Sequence, residues 1–260
     1  MEKFTSLNKF EFTYGPKLGF GPMMHYKLRV PTKWFPSDDE QRFDSNWQNI
    51  KTREKLEALG WTKDSIEYRR NDAGFRMDIN MSDIKPGECD FYLGCSYTFG
   101  IGINLEDTWC WKMSLKRGLP CVNLGWGGGG IEVQYRLLKS WAEILRPKRV
   151  YTLGFWVGRR EILTGRIFVH TLGPWVKNNP QKFLYETLNS NEDETIISSM
   201  RSFDAMRSVC MDYGIELYTP NNMGFTYVKY DHNARDLIHS SPSCHSSIAN
   251  MPDNLWERLA

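Results

Sequence analysis

The sequence predicts an α/β fold built on a mostly parallel sheet. From about Gly87 onward, short β-rich runs alternate with amphipathic helical runs, and glycines or prolines stand at the joints between them. The bulk composition agrees: 260 residues, 41% hydrophobic and 25% charged, suffice for one large domain or for a domain with a substantial extension, and are too apolar for a disordered chain.

Taken in order, residues 89–93 (CDFYL) form the first predicted strand, bounded by Pro86 and Gly87 before it and Gly94 after it. A helix is expected near 108–117, stopped by Gly118, and a second strand at 120–124. A glycine cluster then leads into a helix with Ile131, Tyr135, Leu138, Trp141 and Leu145 at helical spacing, ended near Pro147. A third strand is predicted at 149–156. The stretch beyond it to about Asn191, rich in Gly, Pro and Asn, reads as irregular, a lid or insertion over about 157–192. A further helix places Ile196, Met200, Phe203, Met206 and Cys210 on one face and stops at Gly214. A fourth strand follows at 215–219, and the tail from Asp236 reads as a loop running into a C-terminal helix broken at Pro252. Residues 1–87 are expected to form an N-terminal extension packed on a main domain of residues 88–260, with one helix near 48–59 closed by Gly60.

Charge and cysteine usage narrow the function. With 33 basic against 31 acidic side chains, no global field draws the chain to nucleic acid. No run of about 18 uncharged apolar residues occurs, so no membrane span is predicted, and MEKFTSLNKFEF lacks the apolar core of a secretory signal, which predicts a cytoplasmic protein. The six cysteines contain no CxxC pair and suit buried, reduced thiols. His170 and His232 lack ligand-like spacing, so no metal is predicted.

The chemistry concentrates in two segments. Gly94-Cys95-Ser96-Tyr97-Thr98-Phe99-Gly100 sits where the first strand gives way to a helix, the edge at which α/β sheets present reactive groups. A serine hydroxyl becomes a nucleophile only beside a base that is itself held by a carboxylate. Asp236-Leu237-Ile238-His239 supplies both groups three residues apart. Taken singly, Ser96 reads equally well as a helix cap and His239 as a surface histidine.

Together the segments resemble the SGNH (GDSL-like) hydrolases. GCSYTFG is similar to that family's first block, GDSxTxG, and DLIHSSPSCHSSIA to its last, DxxHPSxxGHxxIA. Asn123-Leu124-Gly125-Trp126-Gly127-Gly128 looks like the second block, an Asn followed five residues later by an oxyanion glycine, and Asn71 to Arg76 resembles the NxxGFR run that precedes the first block in some members. The likeness implies a three-layer αβα sandwich of flavodoxin-like type. It implies Ser96 as nucleophile, His239 as general base, Asp236 as its orienting partner, and the Ser96 and Gly128 amides as oxyanion donors. His245 matches a second histidine that is not the base. The chain departs from the family at Cys95, where Asp is usual, and in the third block, where Gly154-Phe155-Trp156-Val157 carries tryptophan in place of the oxyanion asparagine. Trp156, Arg159 and Arg160 are the candidate replacements.

The resemblance implies a cofactor-free esterase acting on a small-molecule or carbohydrate ester, an O-acetyl sugar or a short acyl ester. A rival reading from another class is an SGNH-fold binding or structural module, virion-associated among its settings. Gly125 to Gly130 also satisfies GxGxxG, but the following strand has no acidic residue for a ribose hydroxyl, so no dinucleotide is predicted.

Overall fold

The computed structural model describes residues 31–154, 157–164, 168–177 and 179–260. The segment ahead of the sheet carries two helices, α1 (Glu40–Gln48) and α2 (Ile50–Ala58), where one was expected. Asn49 divides them: its backbone is extended (φ −85°, ψ 122°) and its side chain accepts from the amides of Lys51 and Thr52, so it caps a new helix instead of continuing the old one.

The main body is an α/β structure of three layers. Strands β1 (Asp90–Gly94), β2 (Cys121–Gly125), β3 (Arg149–Leu153) and β6 (Glu216–Pro220) run parallel in the order β2-β1-β3-β6, and β7 (Trp256–Arg258) pairs antiparallel on the β6 edge. Between β1 and β2 lie the single turn α3 (Ser96–Phe99) and α4 (Trp109–Arg117); α5 (Ile131–Leu145) connects β2 to β3. Between β3 and β6 come a hairpin of β4 (Arg160–Thr164) and β5 (Phe168–Leu172), then α6 (Asn179–Leu188) and α7 (Glu192–Tyr213). After β6 follow α8 (Asn222–Tyr227) and α9 (Pro242–Ala249).

Strand alternation sorts the core into two halves. Phe91, Leu93, Val122, Leu124, Val150 and Leu217 pack under α5 and α7, whereas Tyr92, Tyr151 and Tyr218 face α4 and α9. Those three tyrosines are register partners on neighbouring strands and stack at 5.7 and 5.2 Å. Because chain order runs outward in both directions from β1 and β3, the carboxyl end of β1 is the topological switch point of the sheet.

The region expected to be an irregular lid is instead a hairpin, tied to α5, followed by a helix. Arg136 donates to Glu161 at 2.7 Å, Arg160 to Glu132 at 3.1 Å, and the Glu161 amide to Glu132 at 2.7 Å. Burial pushes the Glu161 carboxyl up against the pull of Arg136. On α7 the predicted apolar face is buried only toward its carboxyl end, where Met206, Val209 and Cys210 meet α5; Ile196 and Met200 are exposed, because 22 residues of α7 outreach the 15 of α5. The expected C-terminal helix is likewise shorter: α9 stops before Pro252, and the last residues become β7, which covers the otherwise unpaired edge of β6. All six cysteines are buried and free.

The fit of α3 onto β2 fixes where Ser96 stands. A Cβ at Gly125 would lie 2.3 Å from the backbone nitrogen of Phe99 and 2.7 Å from the carbonyl carbon of Thr98, so only glycine lets α3 rest there. Gly125→Ala is therefore expected to lower the urea midpoint by the equivalent of about 1–3 kcal/mol or more. Gly127→Ala, whose nearest neighbour would be 3.6 Å away, should stay within roughly 0.5 kcal/mol of the parent; equal effects at the two positions would refute this account.

Candidate active site

Ser96 stands at the switch point. The chain leaves β1 through Gly94 (φ 157°), where a Cβ would strike Thr98 Oγ1, and Cys95 then caps α3 so that Ser96 is its first residue. The amide at that position has no acceptor within its own helix. Ser96 is 7% exposed, and its hydroxyl donates weakly to Cys95 Sγ at 3.9 Å. Arg76 braces the far end of α3: its buried guanidinium donates to the carbonyls of Phe99, Gly100 and Ile103. Burial pulls that guanidinium down to about 10, and the carbonyl dipoles at the carboxyl end of α3 are what it has in place of a carboxylate.

The second segment is a closed turn. Asp236 Oδ1 accepts the amides of Ile238 and His239, both at 3.0 Å, which leaves Oδ2 to meet His239 Nδ1 at 2.6 Å. Leu237 adopts a left-handed conformation (φ 55°) to close the turn, and the Ala234 amide donates to the His239 carbonyl at 3.0 Å. Asp236 is 2% and His239 8% exposed. With Nδ1 engaged by the carboxylate, the imidazole has Nε2 left for proton transfer.

The two segments meet. The His239 ring lies edge-on to Tyr97, the residue after Ser96, with 5.5 Å between centroids, and Tyr97 in turn meets Tyr230 at 5.6 Å. Backbone bonds join them as well: the Arg235 amide donates to the Gly102 carbonyl at 2.9 Å. Among the described residues no hydrogen bond links Ser96 Oγ to His239.

Gly128 (φ 74°) lies in the loop after β2, beneath Thr171 and Trp175, each of which a Cβ there would approach to 2.9 Å. Arg159 runs along the same loop: Nη1 donates to the Gly129 carbonyl at 3.3 Å, and the guanidinium sits 5.1 Å from the Trp175 ring centroid. It also acts on Tyr97, whose hydroxyl is raised by burial and, less strongly, by Asp236, while Arg159 pulls it the other way. Arg160 is directed elsewhere, to Glu132, Ser198 and the Leu188 carbonyl. Trp156 lies outside the described residues. Asn123 is structural, bridging the Thr98 carbonyl and the Gly125 amide. Sequence reasoning missed Trp175 and Thr171, which come from the hairpin region and have no motif to announce them.

His245 is set apart from His239. Fully buried, it accepts the Trp109 amide through Nδ1 at 3.1 Å and so caps α4. Among the described residues no cluster of His, Cys, Asp and Glu could hold a metal ion, and no helix is long and apolar enough to cross a membrane. No protein-family model matches the chain, and no curated protein matches it.

Burial, reinforced by Lys112 and Arg76, drives the His245 imidazole down to about 3. It is neutral in the fold and basic near 6.5 when unfolded, so its contribution to stability is intact above about pH 6.5 and is lost as pH falls toward 3, by up to about 1.4 kcal/mol per pH unit. His245→Asn, whose Oδ1 can accept the same amide without titrating, should flatten the fall in urea-derived stability between pH 6.5 and 4 by about one proton. An unchanged slope would show that the imidazole takes up its proton in place.

Proposed function

We propose that the chain is a serine esterase of the SGNH type, with Ser96 as nucleophile, His239 as general base and Asp236 as its orienter. The observation that carries the reading is the 2.6 Å contact of Asp236 with His239 Nδ1 on an imidazole packed against Tyr97, the neighbour of Ser96. Ser96 Oγ bonds to the ester carbonyl carbon while its proton passes to His239 Nε2. Asp236 stabilises the resulting imidazolium and remains a carboxylate. The negative charge on the former carbonyl oxygen is received by the Ser96 and Gly128 amides, with Arg159 as the third donor in place of the family's asparagine. Collapse breaks the bond to the alcohol, which leaves with the proton from His239. Water then repeats the sequence, frees the acid and restores Ser96.

An ester on a carbohydrate is the substrate this rim favours. Trp175 is 43% exposed beside Gly128 and offers a flat apolar surface of the kind on which sugar rings stack, and Tyr97, against the imidazole, and Tyr230, against Tyr97, add further aromatic surface. The competing reading, a binding module with the same architecture, draws on the Ser96 hydroxyl resting on Cys95 Sγ and not on the imidazole.

A fluorophosphonate probe separates the two. The esterase reading predicts covalent labelling of the intact protein that disappears in Ser96→Ala and falls by roughly 10³-fold or more in His239→Ala; an unlabelled wild-type protein would leave the binding module. Arg159→Ala should lower kcat for p-nitrophenyl acetate by roughly 10²-fold with KM little changed, because a donor to the oxyanion acts only as charge develops. A rise in KM at constant kcat would instead make Arg159 a substrate anchor.

A further inference from the structure

The turn that holds Asp236 begins at a fully buried arginine, whose partners come from the segment ahead of the sheet. Arg235 forms a two-point ion pair with Asp38, Nε to Oδ1 at 3.1 Å and Nη2 to Oδ2 at 2.8 Å, and stacks 4.2 Å over the Trp34 ring. Asp38 Oδ2 also accepts the Tyr68 hydroxyl at 2.5 Å, and that hydroxyl accepts the Gly102 amide at 2.9 Å. Gly102 closes the circuit, since its carbonyl takes the Arg235 amide at 2.9 Å. The space is tight: a Cβ at Gly102 would lie 2.7 Å from Ala234 Cβ and 3.2 Å from Asp236 Oδ1. Two more tethers reach the preceding residues of this loop, Lys55 to the His232 carbonyl at 2.9 Å and the Trp61 indole to the Asn233 carbonyl at 2.8 Å.

We infer that Asp38 and Tyr68 are positioning residues, which act through Arg235 and Gly102 to hold the Asp236–His239 turn against the loop that follows Ser96. The inference rests on the esterase reading for its effect on rate, but its structural content stands without it. The closed ring ties a carboxylate from one end of the chain to the turn next to His239, so that neither loop can shift without breaking a buried charged contact. The segment 31–87 is thereby part of the catalytic apparatus, although it supplies no group that touches substrate.

Tyr68→Phe tests this with little disturbance, because the ring keeps its contacts with Phe35 and Arg76. It should lower kcat for p-nitrophenyl acetate about tenfold with KM nearly unchanged. In an Asp236→Ala background the same substitution should add almost nothing, since the group it positions is gone. Where the parent shows Ser96-dependent hydrolysis, a fall of equal size in both backgrounds, or none in the parent, overturns the proposal. A second readout does not depend on turnover: the downfield proton resonance of His239 Nδ1, assigned through its loss in Asp236→Ala, should broaden by exchange with water in Tyr68→Phe. A line as sharp as the parent's overturns the proposal even if the protein proves to have no esterase activity, whereas absent Ser96-dependent hydrolysis together with a broadened line removes the esterase reading alone.

Discussion

A guanidinium taken out of water must find its acceptors inside the protein, and the arrangement of this molecule follows from where two such groups find theirs. Arg235 turns to Asp38 and to the carbonyls of Lys33 and Lys63, which draws the segment 31–87 onto the loop that bears Asp236. Arg76 turns to the carbonyls of Phe99, Gly100 and Ile103, which draws the same segment onto α3, whose first residue is Ser96, and onto the loop that follows it. Each cation would be costly if its partner moved. Together they set the distance between two loops whose sequence positions are far apart.

The last segment of the chain divides two histidines by the same logic of partners. His239 has a carboxylate on one ring nitrogen and lies near the surface of the site; His245, six residues later and inside α9, has only a backbone amide to accept and is ringed by Lys112 and Arg76. A base must be able to carry a proton while its neighbours favour the charge, and that condition fails at the second position, where burial and the two cations oppose it. The Ser241 side chain, which caps α9 and bonds to Asp231, fixes the geometry of the joint between them.

Much of this was legible in the sequence, for identifiable reasons. The first two parallel strands could be placed to within a residue because each is a short apolar run ending at glycine, and the last parallel strand because Gly214 stops the helix before it; the third runs three residues shorter than expected, ending before Gly154. The Asp-x-x-His spacing encodes a local turn that needs no tertiary information. What escaped reading depended on distant partners. The β4–β5 hairpin reads as irregular in sequence because the groups that tie it down, Glu132 and Arg136, lie on another helix. The last strand reads as part of a broken helix in sequence, because the edge of β6 with which it pairs is a tertiary feature. Asp38, Tyr68 and Arg235 looked like ordinary polar residues, and nothing local shows that all three are buried together.

On the proposed esterase reading, Arg159 in place of the family's asparagine would alter more than a hydrogen bond. A neutral amide stabilises developing charge by its dipole alone, whereas a guanidinium adds a full charge that acts before the reaction begins as well as during it. For such a group to favour the transition state over the ground state, its charge must be partly occupied until the oxyanion forms. The contact of Arg159 with the Gly129 carbonyl and its place over Trp175 provide that occupation. On that reading, exchanging a 3.3 Å contact to a neutral carbonyl for one to an anion would yield a net gain only as negative charge accumulates on the substrate, which is the condition for catalysis and not merely for binding.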